Sequence, residues 1–350
     1  MTQPQGAHLV GSINYPDAET TIRTAATVLG SRLKRIPDGE VGERFHWIAF
    51  QPDRLAPTPG LERVGDTPIL VHNLDVRSLR IADGVEPSDL TLAPLGYADA
   101  ALESWATFRR LRDEGVVAPG TRFQVALPTP AAVVGAFIVR EDRARFEPVY
   151  RDALYAELQV ILDAIPHDLL AIQWDTAVEF GFIESVGYAK ANDANGPWFD
   201  DVWTGVIDRA VDQASRVPDD VELGFHLCYG DAGEKHFFEP TDTANLAEFA
   251  RRLLARAPRT INWIHLPVPI ERDDDAYYAP LAALELPDET EFYLGLVHRE
   301  DGAEGATRRI AVAQRHVDRF GVATECGCGR APASETEPLI QTHAEVTAAW

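Results

Sequence analysis

Short apolar runs alternate with segments of helical periodicity along most of the chain, and this alternation narrows the choice of fold more than any other feature. The runs lie at residues 7–13, 33–36, 122–127, 169–174, 221–228, 261–266, 291–297 and 321–324. Helical spacing is clearest at 17–30, 146–164, 199–215, 243–257 and 305–320, with Asn, Asp, Pro and Gly clustered between elements as turns and caps. Strands separated by helices of this length imply parallel pairing through right-handed crossovers. Eight such units close most simply into an α/β fold of the (β/α)8 (TIM) barrel type, one domain over residues 1–350. An open doubly wound sheet is the alternative. It would carry a Gly-rich phosphate turn after its first strand, and Gly11-Ser12-Ile13-Asn14-Tyr15 is not that motif. The stretch at about 47–111 breaks the alternation and reads as an insertion after the second strand, lying over the active face.

The composition is compatible with this reading. A chain of 350 residues, 45% hydrophobic, can bury a large core without disulfide staples. The net charge of -23, from 55 acidic and 32 basic side chains, argues against a nucleic-acid surface. Neither a leader pattern nor an apolar stretch of roughly 18–20 residues for a membrane span is visible. Three cysteines are too few for a disulfide framework, so a reducing, cytoplasmic setting is expected.

Parallel barrels build their active sites where strands end and βα-loops begin. The eight exits read Gly11-Ser12-Ile13-Asn14, Pro37-Asp38-Gly39-Glu40, Pro128-Thr129, Asp175 with Glu179 beyond it, His226-Leu227-Cys228-Tyr229, His265-Leu266-Pro267, His298, and Glu325-Cys326-Gly327-Cys328. All three cysteines and three of the ten histidines fall at the last four exits. His226 and Cys228 stand two apart on one strand and therefore share a face. If that face is the barrel interior, they form a pair of metal ligands, and Cys326, ending the last strand, is placed to complete a set of three. Imidazole and thiolate together select a borderline-soft ion, zinc first. Three protein donors with an exchangeable fourth position make a catalytic arrangement, whereas four closed donors make a structural one. The alternative is that Cys228 and Cys326 are simply small buried residues.

His226-Leu227-Cys228-Tyr229, followed about a hundred residues later by Glu325-Cys326-Gly327, resembles the catalytic barrel of cobalamin-independent methionine synthase, which holds zinc with a His-x-Cys on one strand and a Cys-Gly near the barrel's end. Val10-Gly11-Ser12, Leu127-Pro128-Thr129-Pro130, Ile172-Gln173-Trp174-Asp175 and Gly295-Leu296-Val297 resemble further segments of that barrel in the same order. The cysteine motifs are the specific part of the match. The wider superfamily includes epoxyalkane:coenzyme M transferase and uroporphyrinogen decarboxylase. The resemblance implies a zinc-dependent transfer of a methyl or other alkyl group to a small-molecule thiol, with Asp175 contacting a substrate ammonium and Ser12 its carboxylate.

Two departures are plain. The family has a Glu ligand on its sixth strand where this chain reads Asn262-Trp263-Ile264-His265-Leu266-Pro267, so His265 either replaces that ligand or acts as a general base. Thr176 stands where the family has an acidic residue, which weakens the case for homocysteine. The family's full-length enzyme also has an N-terminal barrel that helps handle a polyglutamylated folate. These residues contain no such unit, and with the -23 charge a folate polyglutamate donor is disfavoured.

Other candidates carry alternatives. Asp38 and Glu40 are substrate or acid–base carboxylates or else turn caps; His46 and Trp47 close behind favour the functional reading, with Trp47 a further substrate-binding candidate. His298 is a base or a satisfied buried histidine. Asp273-Asp274-Asp275 is the acidic start of a helix. Lys235 and His236, in a loop with Gly230 and Gly233, either cover the site or form an ordinary connection, and Cys328 reads as a spare thiol. A lyase or decarboxylase acting on a small carboxylate through His265, His298 and Asp175 is the second enzymatic expectation. An epoxyalkane:thiol transferase is a variant of the first, and a non-catalytic binding protein is the third.

Overall fold

The computed structural model describes residues 3–184, 196–230, 236 and 238–350. Its centre is a curled, all-parallel sheet of seven strands in chain order: β1 (Arg35–Pro37), β2 (Arg122–Pro128), β3 (Leu170–Thr176), β4 (Glu222–Leu227), β5 (Trp263–Pro267), β6 (Glu291–Val297) and β7 (Gly321–Thr324). Each pairs with the next, for example Asp175 opposite His226 and His226 opposite His265. Sequential parallel order requires a crossover after every strand, and helices such as Tyr97–Asp113, Arg140–Ala164, Val202–Ser215, Ala244–Arg256 and Gly302–Ala313 run between them, while Ala18–Leu29 precedes β1. Seven of the eight expected strands therefore form close to their expected places, with the second displaced by about two residues at its start.

The first apolar run behaves differently. Residues 7–13 make only isolated bridges: Ala7 and Ile13 pair with Val322 and Cys328 on one side, and Ser12 pairs with Gly39 on the other. The segment thus touches both edge strands without becoming a ladder. The physical reason is visible in its carbonyls. Leu9 and Val10 oxygens accept hydrogen bonds from the side-chain amides of Gln124 and Gln173, not from a neighbouring backbone. Buried carbonyls must be satisfied by some donor, and here glutamines on β2 and β3 provide it.

The sheet's interior is polar at one end. Arg35 is buried, pairs with Glu222 and Glu291, and lies over the Trp263 ring. His8 and Trp263 both donate to the Gln173 carbonyl, and the Gln173 amide donates in turn to Asp175. This chain of bonds leads toward the strand exits and fixes the direction of Asp175.

Between β1 and β2 the chain passes through a short helix, Gln51–Leu55, and two antiparallel ribbons, Leu61–Arg63 with Leu79–Ile81 and Leu70–Val71 with Leu74–Asp75. Tyr97–Asp113 then packs against the Ala18–Leu29 and Arg140–Ala164 helices as a layer helix. The helix expected at 305–320 starts at Gly302 and stops at Ala313. Among the described residues no helix is long and apolar enough to cross a membrane.

Candidate metal centre

β4 ends in His226 and Leu227, and Cys228 follows with its N–H still bonded to the Thr176 carbonyl, so strand geometry continues and both side chains face the interior. Beyond β7, the Thr324 hydroxyl donates to the Cys326 carbonyl and fixes the turn that brings this cysteine inward. The result is a cluster in which a nitrogen of His226 and the sulfurs of Cys228 and Cys326 lie within 4.8 Å of one another. The two sulfurs are 3.7 Å apart, and Cys326 Sγ is 3.6 Å from His226 Nε2. A tetrahedral zinc with usual bond lengths requires donor separations of about 3.8 Å for sulfur–sulfur and about 3.6 Å for sulfur–nitrogen. The residues fit the ion in chemistry, and both separations that involve Cys326 match its spacing, while His226 and Cys228 stand within 4.8 Å of each other. The Gly230 N–H, 3.2 Å from Cys228 Sγ, aims that sulfur.

His265, paired with His226 in register, sits behind it. His265 Nδ1 is 2.7 Å from His226 Nδ1, and its Nε2 donates to the Thr324 carbonyl at 3.0 Å. Burial pushes the His265 imidazole down to about 3 and holds His226 well below its ordinary range, with His265 as the next influence, so both rings are neutral at pH 7.

A pocket opens beside the cluster, lined by Ser12, Glu40, Trp47, Asp175 and Arg330 together with His226, Cys228 and Cys326. Glu40 and Trp47 reach it from backbone with φ of 51° and 54°, a left-handed conformation unusual for such residues. A Cβ on Gly11 would fall 2.6 Å from Glu40 Oε1, so a side chain here would push the Glu40 carboxyl out of its present place. Burial pushes the Glu40 carboxyl up to about 7, partly offset by Arg44, while neighbouring Asp38 pushes the same way as burial. Asp175 is raised well above the carboxylate range by burial and then by Glu40, with hydrogen bonds from Gln173 and Trp47 acting against this. Two adjacent buried carboxyls of this kind resist carrying two charges unless a cation enters beside them.

The other candidates lie as follows. Asp38 stands behind Glu40, accepting from the Glu40 N–H, Arg44 and Ser104, and so holds the turn that projects Glu40. Burial raises its carboxyl, but the Arg44 guanidinium, the Ser104 hydroxyl and the Glu40 N–H together outweigh that and leave it low. His298 donates to the Val268 carbonyl and faces a second cavity of about 490 Å³, which it lines with His236, Glu325 and Cys328. The two cavities share Gly230, Cys326, Gly327 and Arg330. Cys328 thus opens away from the donor cluster, and burial pushes its thiol up to about 12. Asp274 caps the Asp275–Tyr278 helix by accepting from the Tyr277 N–H. Gly233 and Lys235 lie outside the described residues.

Arg330 escaped sequence reasoning, and so did the pairing of His236 with Glu325, although each of those two residues is a sequence candidate in its own right. Arg330 lies four residues beyond Cys326 and borders both cavities. The His236 Nε2–Glu325 Oε1 pair, 3.0 Å apart, forms a wall of the second cavity and lifts His236 to about 9 against its burial. Glu325 beside Cys326 was a legible signal, whereas its pairing with a residue 89 positions earlier was not.

No protein-family model matches the chain, and no curated protein matches it in sequence. Among solved structures it is similar to a Listeria monocytogenes protein provisionally described as a vitamin-B12 independent methionine synthase. The TM-score is 0.56 at 17% identity, covering 99% of this chain and 98% of that one. A methyltransferase from Methanosarcina mazei is similar with a TM-score of 0.52 at 12% identity, covering 98% and 94%. At such identities the likeness is one of fold. The chain has the α/β architecture of these methionine-synthase-like and methyltransferase structures.

Proposed function

We propose that this protein is a zinc-dependent transferase that moves a methyl or other alkyl group onto a small thiol, on a fold closed into an eight-unit barrel by residues 7–13. The observation that carries the proposal is the convergence of His226 and Cys228 with the remote Cys326 within 4.8 Å, the two separations to Cys326 being those of one tetrahedral ion. The fold shared with a methionine-synthase-like protein and a methyltransferase supports the reaction class.

His226, Cys228 and Cys326 would hold the ion, leaving one position for an exogenous ligand. A zinc ion there supplies positive charge that lowers a thiol's pKa, so that a sulfur nucleophile is available at neutral pH. The chain's own residues do the rest. Asp175 and Glu40 offer paired carboxyls to a cationic group, such as a substrate ammonium, and their raised proton affinity falls when that cation binds. Ser12 and Arg330, across the same pocket, suit a carboxylate. Trp47 covers the apolar part of the substrate and, with Gly230 and Gly327, narrows access for water. A thiol of amino-acid type is the ligand these groups suit.

The test is elemental analysis of zinc-reconstituted protein, followed by cobalt substitution and titration with small thiols. About one zinc per wild-type chain, lost in Cys228→Ser, is expected, as is a change in the cobalt spectrum when a thiol binds. A wild type that takes up no metal when supplied with it ends the proposal.

A further inference from the structure

The donor cluster is backed by a hydrogen-bond relay across three strands. His226 stands on β4, His265 opposite it on β5, and Thr324 at the end of β7. His265 has no exposed surface, and both of its ring nitrogens are engaged, Nδ1 by His226 and Nε2 by the Thr324 carbonyl. A carbonyl oxygen only accepts, so the His265 Nε2 carries a hydrogen. In a neutral ring that leaves Nδ1 as a bare lone pair. The 2.7 Å contact then needs its proton from the other side, from His226 Nδ1. His226 is left with an unprotonated Nε2, the nitrogen that faces Cys326 Sγ.

From this we propose that His265 is a positioning residue, which fixes the His226 tautomer and so presents Nε2 to the ion. The proposal rests on the metal reading above for its purpose, but not for its geometry. His265 has no nitrogen to spare for coordination, so the described residues offer three donors and leave a fourth position for a further ligand. The relay also couples the two halves of the cluster. Its last acceptor, Thr324, is the same residue whose hydroxyl holds the Cys326 carbonyl, so one unit orients both His226 and the turn that carries Cys326. Without the relay, His226 would be free to place its proton on Nε2 and would have to lose it before ligating.

Metal-free protein labelled with 15N-histidine tests this directly. Long-range 1H–15N spectra of the wild type should show His226 protonated at Nδ1. His265→Leu removes the acceptor and should move the proton to Nε2 or give a mixture. His265→Asn, whose side-chain oxygen lies near the place of Nδ1, should restore the wild-type form. Zinc affinity, measured by chelator competition, should fall about 10–100-fold in His265→Leu and only a few-fold in His265→Asn. Circular dichroism and thermal unfolding identify any variant that has simply lost its fold, and the wild-type tautomer alone then decides. A wild-type His226 protonated at Nε2, or a folded His265→Leu with unchanged tautomer and zinc affinity, would overturn the proposal. A wild type with the Nδ1–H form that binds no zinc would support the relay while removing the metal reading.

Discussion

Glu179 offers a measurement of how far the interior near the strand exits resists charge. It lies in the first turn of the short helix Val178–Glu184, four residues beyond Asp175, and is 2% exposed. Burial pushes its carboxyl from 4.5 up to about 7, while the Thr129 hydroxyl, its own backbone N–H and Arg209 offset this only in part. The folded chain therefore holds this proton more tightly than the unfolded chain does. Its effect on stability is most favourable below the unfolded value, declines as pH rises from about 4.5, and levels off above about 7. A difference of about 2.5 units amounts to roughly 3 kcal/mol, of which roughly 2.5 kcal/mol falls between pH 5 and 8. Glu179→Gln keeps nearly the same volume and removes the titration. Urea unfolding of both proteins, followed by tryptophan fluorescence in half-unit steps of pH, should give a stability difference that shifts toward the variant by that amount from pH 5 to 8. The change with pH is what is read, since any fixed cost of burying the amide is the same at every pH. A difference constant to within about 0.5 kcal/mol would mean that Glu179 ionises in the folded state as readily as in water, and the burial argument would fail.

Two further substitutions probe the walls of the site. Cys328→Ser should leave zinc stoichiometry at the wild-type level, because Cys328 faces the second cavity, whereas Cys326→Ser should reduce it; equal losses in both would place Cys328 in the donor set. Gly327→Ala would bring a Cβ to 2.2 Å from Ser12 Oγ and 3.0 Å from the Ser12 N–H, so the first-run segment must shift. A stability loss of about 1–3 kcal/mol by chemical denaturation and weaker thiol binding by the cobalt-substituted protein are expected, and wild-type values for both would show that the contact relaxes freely.

Much of the donor cluster was legible because its spacing is local. His226 and Cys228 share a face by the two-residue period, and Cys326 follows, two residues on, a strand that the apolar pattern places correctly. Ser12, Glu40 and Asp175 were also named from their positions at strand exits, and Trp47 from its nearness to one, and all four line the pocket. Asp38 was placed in the same group, yet Arg44, Ser104 and the Glu40 N–H hold it behind the pocket wall. That distinction depends on which way a left-handed Glu40 turns, which residue spacing does not specify.

The sequence by itself determined the alternation of strands and helices, the parallel order that follows from it, and the placing of two sulfurs and an imidazole at strand exits. These follow from periodicity and chain connectivity, which act over a few residues at a time. Only the tertiary structure decided that residues 7–13 give their carbonyls to glutamine side chains instead of forming a ladder, and that His265 backs His226 while His298 and Cys328 line the adjoining second cavity. Each of those outcomes turns on a hydrogen bond or a clearance between residues tens to hundreds of positions apart. Their directionality sets in within a few tenths of an ångström, once the packed interior has brought the strands into register.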